Sequence, residues 1–123
     1  MNLKTFLLIT SIIYIPFGLM MLIFPLELFG FYGFELNEAG ALLGRVVGAA
    51  IIGMGLINYF GRGGELSSQV LRAILTGNMV YHLIDLVTVG MATVQGLVNG
   101  WTWSFVGLHL VLSVAFGYFL MKK

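Results

Sequence analysis

The segment "NMVYHLID" (78–85) carries three polar side chains within an otherwise apolar stretch. Asn78, His82 and Asp85 are spaced four and three residues apart, so on a helix they share one face. Tyr81 flanks this face, four residues before Asp85. A carboxylate close to an imidazole can bind a ligand, transfer a proton or orient the imidazole. The spacing therefore predicts a polar site on one helix.

The composition indicates that this helix lies in a membrane. Of 123 residues, 59% are hydrophobic and 9% are charged, and the mean hydropathy is +1.01. A soluble domain of this length carries about a quarter of charged residues, so the soluble class is excluded. The net charge of +1, from scattered basic residues, predicts no nucleic-acid partner. The absence of cysteine excludes disulfides, thiolate metal sites, iron–sulfur clusters and thiol catalysis.

Four apolar stretches predict the fold. They cover residues 5–24, 40–60, 69–90 and 101–121. Each is long enough to cross the hydrocarbon layer, about 30 Å thick, as a helix that satisfies its own backbone polar groups. The strands of a membrane barrel would alternate apolar and polar residues with a period of two, and the sequence shows no such alternation. We therefore predict an all-α integral membrane four-helix bundle, with 1–123 forming a single four-span transmembrane domain.

Residues at the ends of these stretches predict the helix boundaries. Pro25 ends the first stretch, because proline lacks the amide that would continue a helix. Asn37 can cap the start of the second stretch, and Ser67 or Ser68 can cap the start of the third.

The basic residues predict the orientation of the chain. On a four-span topology one side receives Lys4, Arg62, Arg72, Lys122 and Lys123. The opposite side receives Arg45. Because positive residues remain on the cytoplasmic side, both termini are predicted to be cytoplasmic.

The polar residues are predicted to meet inside the bundle. An Asp that faced lipid would cost at least about 2.5–3.5 kcal/mol, so Asp85 is expected to face other helices. Arg45 and Asp85 each lie roughly 8 Å from the outer end of their helix, and His109 lies roughly 12 Å deep, near His82. We predict that Arg45 pairs with Asp85 and that one or both imidazoles form hydrogen bonds to the carboxylate. Asn78 is expected to lie deeper in the bundle than these residues. The predicted network comprises Arg45, Asn78, Tyr81, His82, Asp85 and His109.

A purely structural role is the alternative for these side chains. Polar residues often join membrane helices at about 0.6 kcal/mol per contact, and Asn78 alone fits that role. Helix contacts do not require charges, however, and each buried ion is costly to desolvate. The combination of Arg, Asp and two His therefore favours a functional site.

Glycines indicate where helices pack closely. Gly40, Gly44 and Gly48 form a G-x-x-x-G-x-x-x-G face, a glycine zipper, on the second span. Their missing side chains let another helix approach, either within the bundle or in a homo-oligomer. The many Phe and Leu residues are expected to face lipid.

Several functions fit this pattern. A few polar groups within apolar walls suit a small amphipathic ligand of the quinone or lipid type, and an accessory subunit of a larger membrane complex is a variant of this hypothesis. The alternatives are a b-type haem ligated by His82 and His109, and proton-coupled transport by an oligomer. The chain shows no convincing nucleophile and no metal-ligand spacing, so we predict a non-catalytic role and no metal site.

The stretch "GRVVGAAIIGMGLINYFGR" (44–62) resembles the second span of small four-helix bacterial membrane proteins of the DoxX-like kind. In these proteins an arginine opens a glycine-rich helix, and Arg45 with its neighbouring glycines matches that feature. The resemblance implies a bacterial inner-membrane location. Some relatives are associated with quinone-linked oxidoreductase complexes, so it also implies a quinone or such a complex as a partner.

Overall fold

The structure, a computed structural model, describes residues 1–65 and 68–122, which form helices and connecting turns without β-strands. The helices are α1 (Leu3–Ile23), α2 (Pro25–Phe31), α3 (Glu38–Gly61), α4 (Gln69–Val94) and α5 (Trp103–Met121). A 3₁₀ turn, Gly100–Thr102, leads into α5. Four of these helices, α1, α3, α4 and α5 with its 3₁₀ turn, are long and apolar enough to cross a membrane. The prediction of an all-helical chain with four such helices is confirmed. The orientation of the termini stays a prediction.

Side-chain caps fix where three of the long helices begin. The side chain of Asn2 accepts a hydrogen bond from the Thr5 amide, and that of Asn37 accepts one from the Gly40 amide. Ser68 does the same for the Leu71 amide at the start of α4. Such caps satisfy backbone donors that have no partner within the helix. Of the two serines predicted as caps for this helix, Ser68 takes the role and Ser67 lies outside the described residues.

The chain divides into two compact units, Met1–Gly63 and Gly64–Lys123. In the first unit α3 packs along α1, and the short α2 joins them. The sequence did not predict α2 as a helix, and Pro25 explains why it forms separately. Proline lacks the amide that would continue α1, but it suits the first position of a new helix.

Small residues of α3 bring it close to α1 and α2. A Cβ built on Gly48 would lie 2.7 Å from the Gly18 carbonyl oxygen, and one built on Gly44 would lie 2.8 Å from the Phe29 ring. Gly40, nearer the start of α3, lies next to the Leu36 side chain. At Gly48 the neighbour is a backbone atom, so there is no room for a larger side chain, whereas at Gly44 the Phe29 ring would have to move.

A buried hydrogen bond also joins α1 to α3. Asn58 Nδ2 donates to Thr10 Oγ1 at 3.1 Å, and both residues are fully buried. The Thr10 hydroxyl in turn donates to the Leu7 carbonyl at 3.0 Å. Such polar contacts hold helices together where lipid provides no hydrophobic driving force.

In the second unit α4 and α5 run antiparallel. Arg72, in the first turn of α4, donates to the Leu120 carbonyl near the end of α5 at 3.3 Å. At the other end, Gly96 takes a φ of +70°, a conformation that suits glycine, and turns the chain away from α4. One buried stripe runs along each helix. Its members are Leu71, Leu75, Asn78 and His82 on α4, and His109, Leu112, Ser113, Phe116 and Phe119 on α5.

Candidate functional site: the His82–His109–Asp85 cluster

The second unit carries a polar cluster about halfway along its two long helices. His82 and His109 each lie about three helical turns from the Arg72–Leu120 contact, which is roughly 15 Å along the helix axes. This distance is about half the thickness of the hydrocarbon layer. The pairing of α4 with α5 therefore brings two imidazoles together near the middle of both helices.

The two imidazoles contact each other directly. The Nδ1 atoms of His82 and His109 lie 2.8 Å apart, and the ring centroids are 5.0 Å apart. Only 2% of His82 and 7% of His109 is exposed. Because a hydrogen bond needs one donor and one acceptor, one of these nitrogens carries a hydrogen and the other offers a lone pair. The contact therefore links α4 to α5 through a specific pair of protonation states.

Asp85 extends this pair towards the surface of the unit. Its Oδ2 lies 3.8 Å from Nε2 of His109, and 31% of its side chain is exposed. The Tyr81 hydroxyl also lies close enough to interact with the carboxylate as a hydrogen-bond donor. The polar groups thus form one series, from the partly exposed Asp85 through His109 to the buried His82. We call these three residues and Tyr81 the polar cluster.

Aromatic rings surround the polar cluster. Phe116 stacks on His82 with a centroid distance of 5.8 Å and an angle of 21° between the rings, and it is fully buried. Phe105 lies 6.4 Å from His109. The interpretation of the phenylalanines as lipid-facing was wrong for Phe116. Its spacing of seven residues from His109 puts both on one helix face, which indicates that Phe116 lies on the buried side of α5.

Two other buried polar side chains, one on each helix, hydrogen-bond to the backbone of their own helix. Asn78 is buried one turn before His82, and its Nδ2 donates to the Ile74 carbonyl of the same helix at 2.9 Å. Ser113 Oγ donates to the carbonyl of His109 at 2.7 Å. Bonds of this kind give a buried hydroxyl or amide a partner within its own helix.

Arg45 belongs to the first unit. It lies in the second turn of α3, directly after Gly44, and its side chain is exposed. The predicted pairing of Arg45 with Asp85 stays a prediction.

The geometry of the imidazoles bears on metals and haem. Among the described residues no group of three or more His, Cys, Asp or Glu side chains could hold a metal ion. A haem iron held by both histidines would need the porphyrin to lie between the rings. Since the two rings are in direct hydrogen-bond contact, they do not fit that arrangement.

Comparisons of the chain with protein-family models, with curated proteins and with solved structures found no match. The resemblance of residues 44–62 to DoxX-like proteins stays a prediction.

Proposed function

We propose that the second unit binds the polar head of a small amphipathic molecule at the Asp85 end of the polar cluster, without catalysing a reaction. The observation that supports this proposal is the partly exposed carboxylate that ends a series of buried imidazoles. A ligand head would reach Asp85 and Tyr81 first, while its apolar tail would lie along the helices. Quinone-type and lipid-type molecules both have this division into head and tail.

The charge of Asp85 favours a ligand over a purely structural role. Two neutral side chains would join α4 to α5 without the cost of removing a carboxylate from water. Intramembrane ionisable groups are therefore usually functional. Asp85 is also the most exposed of the three residues in the series, so its carboxylate is the member that a ligand can reach.

Copurification tests the proposal. The protein is extracted from its native membrane into lipid nanodiscs, and bound amphipathic molecules are identified by mass spectrometry. Asp85→Asn keeps the size of the side chain but removes the charge. Thr88→Val is the matched control, since it removes an exposed hydroxyl that donates to the backbone carbonyls of Ile84 and Asp85 but leaves the Asp85 carboxylate in place.

We expect one class of molecule to be enriched with the wild type and with Thr88→Val. Its recovery with Asp85→Asn should be about tenfold lower, because this variant loses one charged hydrogen bond to the ligand. Equal recovery from all three proteins would refute the proposal. In that case the polar cluster would serve only to join α4 and α5.

The same proposal extends to the setting of the protein. We propose a bacterial inner-membrane location, helix packing through the glycine zipper of Gly40, Gly44 and Gly48, and, as the variant of the ligand hypothesis, a role as an accessory subunit of a larger membrane complex. The outward faces of the helices carry large apolar residues, such as Leu43 and Val111, that suit either lipid or apolar partner helices. A partner protein retained through mild detergent extraction, and identified by mass spectrometry, would support the subunit form.

A further inference from the structure

The exposed end of the polar cluster is an acceptor of hydrogen bonds. An ionised carboxylate offers about four acceptor positions and no donor. Among the described residues, the groups that reach the Asp85 carboxylate are the Tyr81 hydroxyl and, at the longer distance of 3.8 Å, His109 Nε2. Acceptor capacity therefore remains on a side chain that is 31% exposed.

A ligand head at this carboxylate must supply a donor. An acceptor such as a ketone, ester or ether oxygen would bring its lone pairs against those of Asp85, and the buried histidines are too enclosed to be met first. A hydroxyl group would instead form a charge-assisted hydrogen bond, which is stronger than a bond between neutral groups.

The rings next to His109 favour an aromatic head. Tyr81 and Phe105 are both half-buried, and each lies beside the His109 ring, with centroid distances of 5.9 and 6.4 Å. Aromatic rings pack against one another at such distances in edge-on or offset arrangements. A flat ring that carries a hydroxyl could therefore pack against the Tyr81 ring while its hydroxyl reaches Asp85, with which the Tyr81 hydroxyl interacts.

We infer that the ligand of the polar cluster carries a phenol- or quinol-type hydroxyl that donates to Asp85, on a ring with an apolar tail. This inference rests on the proposed function and narrows its ligand class. It separates hydroxyl-bearing heads from heads that only accept hydrogen bonds, including the fully oxidised quinone ring.

The test compares two probes that differ in one donor, 4-dodecylphenol and its methyl ether. Wild-type protein labelled with ¹⁵N-histidine is reconstituted in phosphatidylcholine–phosphatidylglycerol nanodiscs, and the Nε2 signal of His109 is followed as each probe is added. We expect the phenol to shift this signal saturably at a mole fraction about tenfold lower than the ether, as the gain of a charged hydrogen bond predicts. The preference should fall in Asp85→Asn and persist in Thr88→Val.

The outcomes separate this inference from the proposed function. Equal saturation by both probes, or tighter binding of the ether, would overturn the donor inference while a binding site remained. If neither probe shifts the signal and no molecule copurifies, both proposals are wrong. The comparison of the two probes on the wild type needs no variant, so it remains decisive if Asp85→Asn does not fold.

Discussion

The Nδ1 atoms of His82 and His109 lie 2.8 Å apart, so one of them carries a hydrogen and donates it to the other. Two hydrogens would collide there, and two lone pairs would repel each other. The second nitrogen of His109 decides which ring donates, because it faces the Asp85 carboxylate at 3.8 Å. A lone pair on His109 Nε2 would be repelled, so this nitrogen carries a hydrogen. In a neutral His109 ring Nδ1 is then the acceptor, and His82 donates through its Nδ1.

The first prediction is a pair of unequal tautomers. When both rings are neutral, His82 should be the Nδ1–H form and His109 the Nε2–H form. Solid-state NMR of ¹⁵N-histidine-labelled protein in liposomes distinguishes protonated from unprotonated ring nitrogens. In Asp85→Leu, which removes the acceptor that selects the direction, we expect both arrangements to appear. Two Nε2–H rings in the wild type would contradict the direct contact.

The second prediction concerns the energy of the His82–His109 contact. Replacing either histidine with Leu leaves the other ring buried without this partner, so we expect each single variant to lose about 1–3 kcal/mol of unfolding free energy. The double variant should lose less than the sum, with a coupling of about 1 kcal/mol.

Unfolding in mixed micelles with increasing SDS measures this coupling. Both tryptophans of the chain, Trp101 and Trp103, lie in the second unit, so their fluorescence reports on α4 and α5. As a control, Thr88→Val combined with His109→Leu should be additive to within about 0.5 kcal/mol. A coupling near zero for the two histidines would show that their hydrogen bond contributes no stability.

The fold was largely predictable because its signals are strong and local. Continuous apolar runs predicted α1, α3, α4 and α5, and capping residues such as Asn37 predicted where they begin. The short α2 was not predicted, since seven residues give too little periodicity to separate a helix from an interfacial loop. Pro25 marked the end of the first span but did not by itself indicate a second helix.

The site was predictable only as far as one helix determines it. The spacing of His82 and Asp85 gave their common face, and depth counting matched His109 to His82. Which atoms meet depends on how α4 and α5 rotate against each other, and spacing on one helix does not contain that information. The buried pair of Thr10 and Asn58 was missed for a different reason. Asn58 extends the small-residue face of α3, three residues after the buried Gly55, but it was not assigned to that face.

The third prediction concerns the membrane orientation. Since the chain has no cysteine, a single introduced cysteine is its only thiol. We expect Glu35→Cys to react with a membrane-impermeant maleimide added to intact cells, and Gly63→Cys to react only after lysis. Both positions are exposed, and no atom lies within 4 Å of a Cβ built at Gly63. If Gly63→Cys reacted in intact cells and Glu35→Cys only after lysis, the prediction that both termini are cytoplasmic would be wrong.

The fourth prediction compares two glycines of the same helix, Gly48 and Gly53 in α3. A Cβ at Gly48 would lie 2.7 Å from the Gly18 carbonyl oxygen and 2.8 Å from Met21 Cβ. A backbone oxygen cannot retreat alone, so Gly48→Ala must push α1 and α3 apart at a cost of about 1–3 kcal/mol. At Gly53 no such atom lies within 4 Å, so Gly53→Ala should be neutral or stabilise by up to about 1 kcal/mol.

The two glycine variants are compared by SDS-induced unfolding followed by circular dichroism, because the first unit contains no tryptophan. The same substitution should therefore destabilise the protein at Gly48 but not at Gly53, five residues away in the same helix. At Gly48, Val should lower the free energy of unfolding more than Ala does. At Gly53, the two substitutions should give nearly the same free energy of unfolding. Equal effects at both positions would mean that α1 and α3 do not pack closely through Gly18 and Gly48.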